Sequence, residues 1–147
     1  MTTPPALTGQ DIGQAARATN AILEILLAET GTPFTTWVAL NVLATSGSPQ
    51  PRDALLQRLT SGLKIAEDIA QAAVADLVSR GYASEQAVLD LTTEGGALHG
   101  RIRTGIARIT ERLYGGLPEA DLATTRRILG IVTERANAVL TSQNPPE

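Results

Sequence analysis

The chain has 147 residues, a formal net charge of −3 and a composition that is 43% hydrophobic but only 3% aromatic. A chain of this length can bury a substantial core within one domain, and that core has to be aliphatic. The absence of cysteine excludes thiol redox sensing and thiolate metal sites, and a single histidine, His99, excludes a multi-histidine metal site. We therefore expect no metal ion and no cofactor. The acidic balance argues against a protein that coats nucleic acids or membranes non-specifically.

Helical periodicity dominates the first half of the chain. Thr8 and Asp11 resemble a capping box, and apolar residues then recur at three- and four-residue steps from Ile12 to Leu26. Such a narrow stripe is typical of a helix that packs along another helix. Three more helices are predicted, from Pro33 to about Ala44, over about Arg52–Leu59 and over roughly Ile65–Arg80, with breaks at Gly31, at the turn cluster 46–51 and at Ser61-Gly62.

A short hairpin and two long helices account for the second half. Residues 87–91 alternate as in a strand, and Tyr82–Ser84 can pair with them, which leaves Glu85-Gln86 as a tight turn. Thr92 is the predicted cap of a fifth helix that Gly115-Gly116 ends. Pro118 then opens a sixth helix, with apolar residues at near-heptad spacing from Leu122 to Val139. A helix, a very short hairpin and a second helix start together predict a winged helix-turn-helix.

This order of elements resembles the MarR family of winged helix-turn-helix regulators over about residues 8–140. The resemblance implies a mainly α fold of six helices with a short two-stranded wing. It also implies an obligate homodimer joined by the first helix and the last two, binding of a double-stranded DNA operator, and frequent release by small aromatic ligands. The residues that carry the resemblance are Leu63, Val74, Leu77, Gly81, the segment LTTEG at 91–95 and the segment YGGLPEADL at 114–122.

On this basis we predict a single MarR-like domain over residues 1–147. Residues 8–30 and 92–141 would form the dimerisation helices, and residues 32–91 the winged helix-turn-helix lobe. Glycines in or near the fifth helix are costly there and are best explained by close helix crossing at the dimer seam. These glycines are Gly95, Gly96, Gly100 and Gly105.

The DNA-facing segment departs from the family pattern in charge. Residues 46–95 carry four lysines or arginines against seven acids, and the wing segment 82–90 contains no basic residue. Gln71 is the typical base-edge reader, pairing with adenine, although a solvated helix residue is an equally good interpretation. Glu67 and Asp68 either read cytosine amino groups or, as we favour, simply stabilise the positive N-terminus of the helix. The candidate phosphate ligands are Arg52, Arg58, Lys64 and Arg80.

A second candidate site is a pocket for a small aromatic ligand beside the second helix. Trp37 would line it, with Asn41 one turn further on and His99 and Arg103 contributed by the fifth helix. We favour the simpler interpretation, in which Trp37 belongs to the core and His99 is a partly buried structural residue.

The function predicted from the sequence is that of a cytoplasmic, dimeric, DNA-binding transcriptional regulator that a small organic ligand can release. The start of the chain lacks the features of a signal peptide, and no apolar run is long enough to span a membrane. The alternative is a degenerate winged-helix protein that binds a small molecule or a protein partner and has little affinity for DNA. We expect no enzymatic activity, because one histidine and scattered carboxylates form no catalytic constellation.

Overall fold

Six α-helices and one two-stranded antiparallel sheet make up residues 6–143, the part of the chain that the computed structural model describes. The predicted mainly α, six-helix winged helix-turn-helix fold is thereby confirmed. None of these six helices has the length and hydropathy needed to cross a bilayer. In chain order the elements are α1 (Gly9–Ala28), α2 (Phe34–Thr45), α3 (Arg52–Leu63), α4 (Glu67–Ser79), β1 (Ala83–Glu85), β2 (Leu89–Leu91), α5 (Thr93–Tyr114) and α6 (Glu119–Gln143).

Local sequence accounts for where the first helices begin. The predicted capping box at the start of α1 is present: Thr8 N donates to Asp11 Oδ2 at 2.9 Å, and Asp11 N donates to Thr8 Oγ1 at 3.3 Å. Pro33 and Pro51 are the N-cap residues of α2 and α3, where the missing proline N–H leaves no helical bond unmade. These starts follow from local hydrogen bonding and backbone restriction, which explains why they were predictable.

The predicted break at Ser61-Gly62 is wrong, because α3 continues through both residues to Leu63. Ser61 Oγ donates to Gln57 O at 2.8 Å, so the serine satisfies its hydroxyl within the helix. The helix ends instead at Lys64, which takes the left-handed conformation with φ 57°. A lysine in that region of backbone space is uncommon, and sequence patterns therefore point to the glycine beside it.

The wing has a different register from the one predicted. Ala83 pairs with Leu91 and Glu85 with Leu89, so the turn comprises residues 86–88 and not Glu85-Gln86. A contact from outside the hairpin accompanies this register. Gln50 N donates to Leu89 O at 2.9 Å and Leu89 N to Gln50 O at 2.8 Å, which adds a bridge on the other side of β2. Leu89 is then fully buried.

The chain divides into two compact units, the first ending at Arg108 and the second beginning at Ile109. The first unit contains the aliphatic core that the composition predicted. In the second unit, by contrast, none of the residues of α6 is buried. The largest fully buried side chains all lie in the first unit: Leu27, Leu40, Leu43, Leu55, Leu59, Leu77, Leu89, Ile102, Val74 and Thr36.

Two glycines of α5 allow close approach of other backbone or side-chain groups of the same chain. A Cβ atom at Gly95 would overlap the carbonyl oxygen of Tyr82. A Cβ at Gly105 would lie 2.6 Å from Cδ1 of Leu26, so α1 packs directly against the α5 backbone there. The expectation that these two glycines mark the dimer seam is therefore wrong, because their close neighbours are intramolecular. At Gly100, by contrast, an added Cβ would have no neighbour within 4 Å.

Candidate nucleic-acid interface

Helices α3 and α4, with the turn 64–66 between them, form the helix-turn-helix. The inward face of α4 consists of Ala70, Ala73, Val74 and Leu77, all of which are buried. This spacing of three and four residues turns the opposite face of α4 to solvent. That outward face corresponds to the surface that enters the major groove in helix-turn-helix proteins.

The first turn of α4 is acidic and its cap is weak. Ala66, the N-cap residue, has no side chain able to accept a hydrogen bond, so the free backbone N–H groups are not capped in the usual way. Glu67 and Asp68 are exposed, and Asp68 Oδ1 accepts a bond from Ile69 N at 3.0 Å. Carboxylates in the first turn compensate for the missing cap through the helix dipole. This geometry supports the interpretation that both acids stabilise the helix.

Two uncharged side chains on α4 are well placed for contacts with base edges. Gln71 is exposed, as a base reader has to be. Ile69 is 46% exposed, which is unusual for isoleucine, and sequence reasoning assigned it no role. The signal was present in the sequence, since Ile69 falls one position before the apolar stripe that begins at Ala70. An exposed aliphatic group on a recognition helix suits contact with a thymine methyl group.

Two of the four candidate phosphate ligands are paired with acids inside the chain. Arg52, the first residue of α3, contacts Glu85 at the end of β1 through two hydrogen bonds of 2.9 and 2.6 Å. Arg80, at the C-cap of α4, donates to Asp76 Oδ1 at 2.8 Å and to Gly31 O at 2.7 Å. These are the two ion pairs between residues 6 and 143.

The network around Arg80 joins α4 to the preceding helices. Thr36 of α2 is 2% exposed and donates through Oγ1 to Asp76 Oδ2 at 2.8 Å. Both carboxylate oxygens of Asp76 therefore have a donor, and Arg80 is held at the opposite end of α4 from Glu67. We conclude that Arg80 contributes to the position of α4 within the fold.

Arg58 and Lys64 remain as exposed cations of the helix-turn-helix. Lys64 lies in the turn, where its Nζ donates to Ser61 O at 2.5 Å. Against them stand three exposed acids that have no ion-pair partner within residues 6–143, namely Asp53, Glu67 and Asp68. Asp53 and Glu67 line an open cleft between α3 and the start of α4, with Leu56 at its floor. The local excess of negative charge predicted from the sequence therefore persists at the surface.

The four predicted ligand-pocket residues lie in the first unit, and three of them touch. The rings of Trp37 and His99 stack at a centroid distance of 5.5 Å and an interplanar angle of 20°. His99 Nε2 lies 2.9 Å from Asn41 Oδ1, which requires an N–H at that nitrogen. Burial and then the nearby charge of Arg103 lower the pKa of His99 below its ordinary value of 6.5. Trp37 is only 5% exposed and belongs to the core, whereas His99 and Asn41 are half-buried.

Comparisons with known proteins identify this architecture. No family model matches the sequence, and no curated protein matches it significantly. The structure is similar to that of a MarR family transcriptional regulator from Listeria monocytogenes complexed with a 26-mer DNA. The TM-score is 0.76 at 21% identity, over 97% of this chain and 98% of that chain.

Two further structures show the same likeness at lower identity. A MarR protein from Peptoclostridium difficile has a TM-score of 0.74 at 15% identity, over 98% of each chain. A Staphylococcus aureus MarR in complex with salicylate and kanamycin has a TM-score of 0.73 at 14% identity, over 88% of this chain and 89% of that chain. The chain therefore has the winged helix-turn-helix fold of the MarR family regulators.

Proposed function

We propose that this protein is a cytoplasmic, homodimeric transcriptional regulator that binds an operator in double-stranded DNA. Each protomer would insert α4 into a major groove, and the dimer would set the spacing of the two half-sites. The similar structure from Listeria monocytogenes was determined with a 26-mer DNA, which supports a DNA partner for this fold.

The observation that carries this proposal is the outward face of α4. Ile69 and Gln71 are both exposed and uncharged on the second helix of a helix-turn-helix. Together they offer a methyl contact for thymine and an amide for adenine. We expect Arg58 and Lys64 to contact phosphates, because they are the exposed cations of this motif that have no acidic partner within residues 6–143.

The dimer is proposed because aliphatic side chains lie uncovered along the second unit. Val139 of α6 is 57% exposed and Leu140 is 49% exposed, and Leu117, just before α6, is 50% exposed. Aliphatic side chains left this exposed on a helix that buries none of its residues favour a protein interface. A second copy of the same chain is the partner that would bury these residues by symmetry.

We propose a small aromatic compound as the effector that releases DNA. The similar Staphylococcus aureus structure holds salicylate, which supports this class of ligand for the fold. Trp37, the single tryptophan of the chain, stacks on His99 and would report an aromatic molecule that enters this cluster and separates the two rings. A titration with salicylate, followed by Trp37 fluorescence and by retention of DNA, tests this step.

Capture of genomic fragments on the purified protein at physiological salt, including its own promoter region, tests the proposed function. Gln71→Ala should lose about 1–3 kcal/mol of discrimination at one base position in each half-site. Arg58→Ala should weaken binding to all DNA sequences alike and make the affinity for DNA depend less steeply on salt concentration. Gln14→Ala, at an exposed position of α1, is the matched control for Gln71→Ala and should change nothing. The proposal fails if no fragment is retained and none of these substitutions changes retention.

The exposed acids favour a second candidate function, a winged-helix protein that binds a protein partner and has little affinity for DNA. Asp53, Glu67 and Asp68 would repel phosphate wherever α4 approached DNA. Glu67→Gln combined with Asp68→Asn separates the two candidates. Stronger retention of all sequences by the double variant favours the DNA-binding function, whereas no retention by either protein at low salt favours the partner-binding function.

A further inference from the structure

The pair formed by Arg52 and Glu85 differs from the other ion pair described between residues 6 and 143. Arg80 and Asp76 lie four residues apart on one helix, whereas Arg52 and Glu85 are 33 residues apart and join α3 to the wing. Arg52 Nε donates to Glu85 Oε2 at 2.9 Å and Arg52 Nη2 donates to Glu85 Oε1 at 2.6 Å. The carboxylate therefore occupies one whole edge of the guanidinium group in two parallel hydrogen bonds.

This pair stands at the base of the wing turn, where the chain otherwise lacks positive charge. Glu85 is the last residue of β1, immediately before the turn 86–88, and residues 82–90 contain no lysine or arginine. Two main-chain hydrogen bonds between Gln50 and Leu89 anchor the segment that leads into α3 against the wing. Arg52 is therefore held beside the wing by the backbone, independently of its bond to Glu85.

The chemistry of the pair makes it exchangeable. A carboxylate and a phosphodiester each present two acceptor oxygens to the paired N–H groups of an arginine. Either group can therefore occupy the edge of the guanidinium that Glu85 now fills. The side chains of Arg52 and Glu85 are 31% and 26% exposed, so neither is sealed in the core. Hydrogen bonding between them raises the pKa of Arg52 and lowers the pKa of Glu85, so both groups of the pair are charged.

We propose that Arg52 is the phosphate contact on the wing side of this fold and that Glu85 is its intramolecular competitor. DNA binding then requires a phosphate to displace the Glu85 carboxylate, and Glu85 lowers the affinity for every sequence. This inference rests on the proposed DNA-binding function and adds to it a residue that sets the overall affinity. It also explains how a wing without basic residues obtains a positive group.

A double-mutant cycle tests the competition. The probe is a fluorescently labelled, mixed-sequence duplex DNA, and the dissociation constant is measured by anisotropy over a range of salt concentrations. Glu85→Gln should tighten binding by about two- to fivefold per half-site, the range expected for release of an exposed ion pair. Arg52→Gln should weaken binding and reduce the salt slope by about 0.9 per protomer. In the Arg52→Gln background, Glu85→Gln should have no further effect.

A matched control separates competition from general electrostatics. Glu94→Gln removes one negative charge from an exposed position at the start of α5, and Glu94 forms no ion pair within the described residues. The inference is overturned if Glu94→Gln tightens binding as much as Glu85→Gln, or if the effect of Glu85→Gln persists without Arg52. Thermal unfolding followed by circular dichroism confirms that each variant is folded before binding is compared.

Failure of this inference differs from failure of the proposed function. If the wild type retains genomic fragments but the cycle shows no coupling, the proposed function holds and the role of Arg52 and Glu85 is wrong. If the wild type retains no fragment but Glu85→Gln binds the duplex at low salt more tightly than both the wild type and Glu94→Gln, and only when Arg52 is present, the competition is confirmed and the proposed function of the native chain fails. If neither protein binds the duplex, Arg52 is no phosphate contact and the inference is overturned.

Discussion

Aliphatic side chains are buried in the first structural unit and exposed on α6 in the second. In the first unit, Leu40 and Leu55 are completely buried, whereas in the second unit Val139 and Leu140 of α6 are 57% and 49% exposed. Both sets of residues are aliphatic, so composition does not explain the contrast. The first unit brings several helices and the wing around one core, whereas within the second unit α6 buries none of its residues. The comparison shows that the core of the described residues lies in the first unit, and under the proposed homodimer a second copy would cover α6.

The largest expected effect comes from placing charge on the exposed stripe of α6. Val132→Glu combined with Val139→Glu puts two carboxylates on a face that we expect to be buried between protomers. Each uncompensated buried charge costs on the order of 3–5 kcal/mol, so the variant should be monomeric by sedimentation at micromolar concentration while the wild type is dimeric.

The control for this pair adds the same charge elsewhere on α6. Ala123 and Thr141 are exposed and lie outside the heptad positions of Val132, Val139 and Leu140, so Ala123→Glu with Thr141→Glu should remain dimeric. A wild type that sediments as a monomer, or a charged stripe variant that stays dimeric, would show that α6 is not the interface.

Removal of a core leucine should have the next largest effect. Leu40→Ala leaves a cavity in the first unit and should lower the free energy of unfolding by about 2–5 kcal/mol, whatever the protein concentration. Leu140→Ala is the matched change on α6. Leu140→Ala should lower the free energy of unfolding, measured by urea denaturation, only at protein concentrations where the dimer is populated. Equal, concentration-independent losses for the two variants would contradict the difference between the units.

A pair of glycine substitutions on α5 should give effects of opposite sign. Gly95→Ala forces a methyl group onto the backbone carbonyl of Tyr82, which cannot turn aside as a side chain can, and such overpacking should cost about 1–3 kcal/mol. Gly100→Ala meets no neighbour and should stabilise the helix by about 0.5–1 kcal/mol. Thermal unfolding of both variants measures the difference. A destabilising effect at Gly100 would mean that another chain approaches α5 there.

The smallest expected effect is a pH dependence from His99. Its pKa is lowered in the folded protein, so below about pH 6.5 the unfolded chain binds the proton first and stability is lost as the pH falls. His99→Gln removes this titration. The free energy of unfolding of the wild type, measured by urea denaturation with Trp37 fluorescence, should therefore fall relative to that of His99→Gln as the pH is lowered from 7 to 5. A constant difference between the two proteins over this range would show that His99 is not buried as described.

Sequence reasoning succeeded where a feature depends on nearby residues. The capping box of Thr8 and Asp11 is an example, since its bonds join residues three apart. It failed at the end of α3, because the left-handed residue is Lys64 and no local signal distinguishes that lysine from its neighbours. The wing register was also missed, since the hairpin sequence does not reveal that Gln50, from outside the hairpin, bonds to Leu89 of β2.

The same distinction applies to the candidate site. The sequence placed Trp37 and His99 near one another only as lining of a less favoured candidate pocket, and the stacking of the two rings was not predicted. The engagement of Arg52 by Glu85 was not anticipated, because Glu85 has no pattern that marks it as a partner. The exposure of Ile69 was visible only as a small displacement from the apolar stripe of α4.

The sequence by itself determined the order and type of the elements, the aliphatic core and the acidity of the helix-turn-helix, because periodicity, capping and charge are properties of local segments. Only the tertiary structure decided which charges are available at the surface. Arg52 finds its acidic partner on the wing, whereas Asp53, Glu67 and Asp68 find no ion-pair partner within residues 6–143. The physical reason is that an ion pair forms between groups that the fold brings within a few ångströms. In the case of Arg52 and Glu85, those groups are 33 residues apart in the chain.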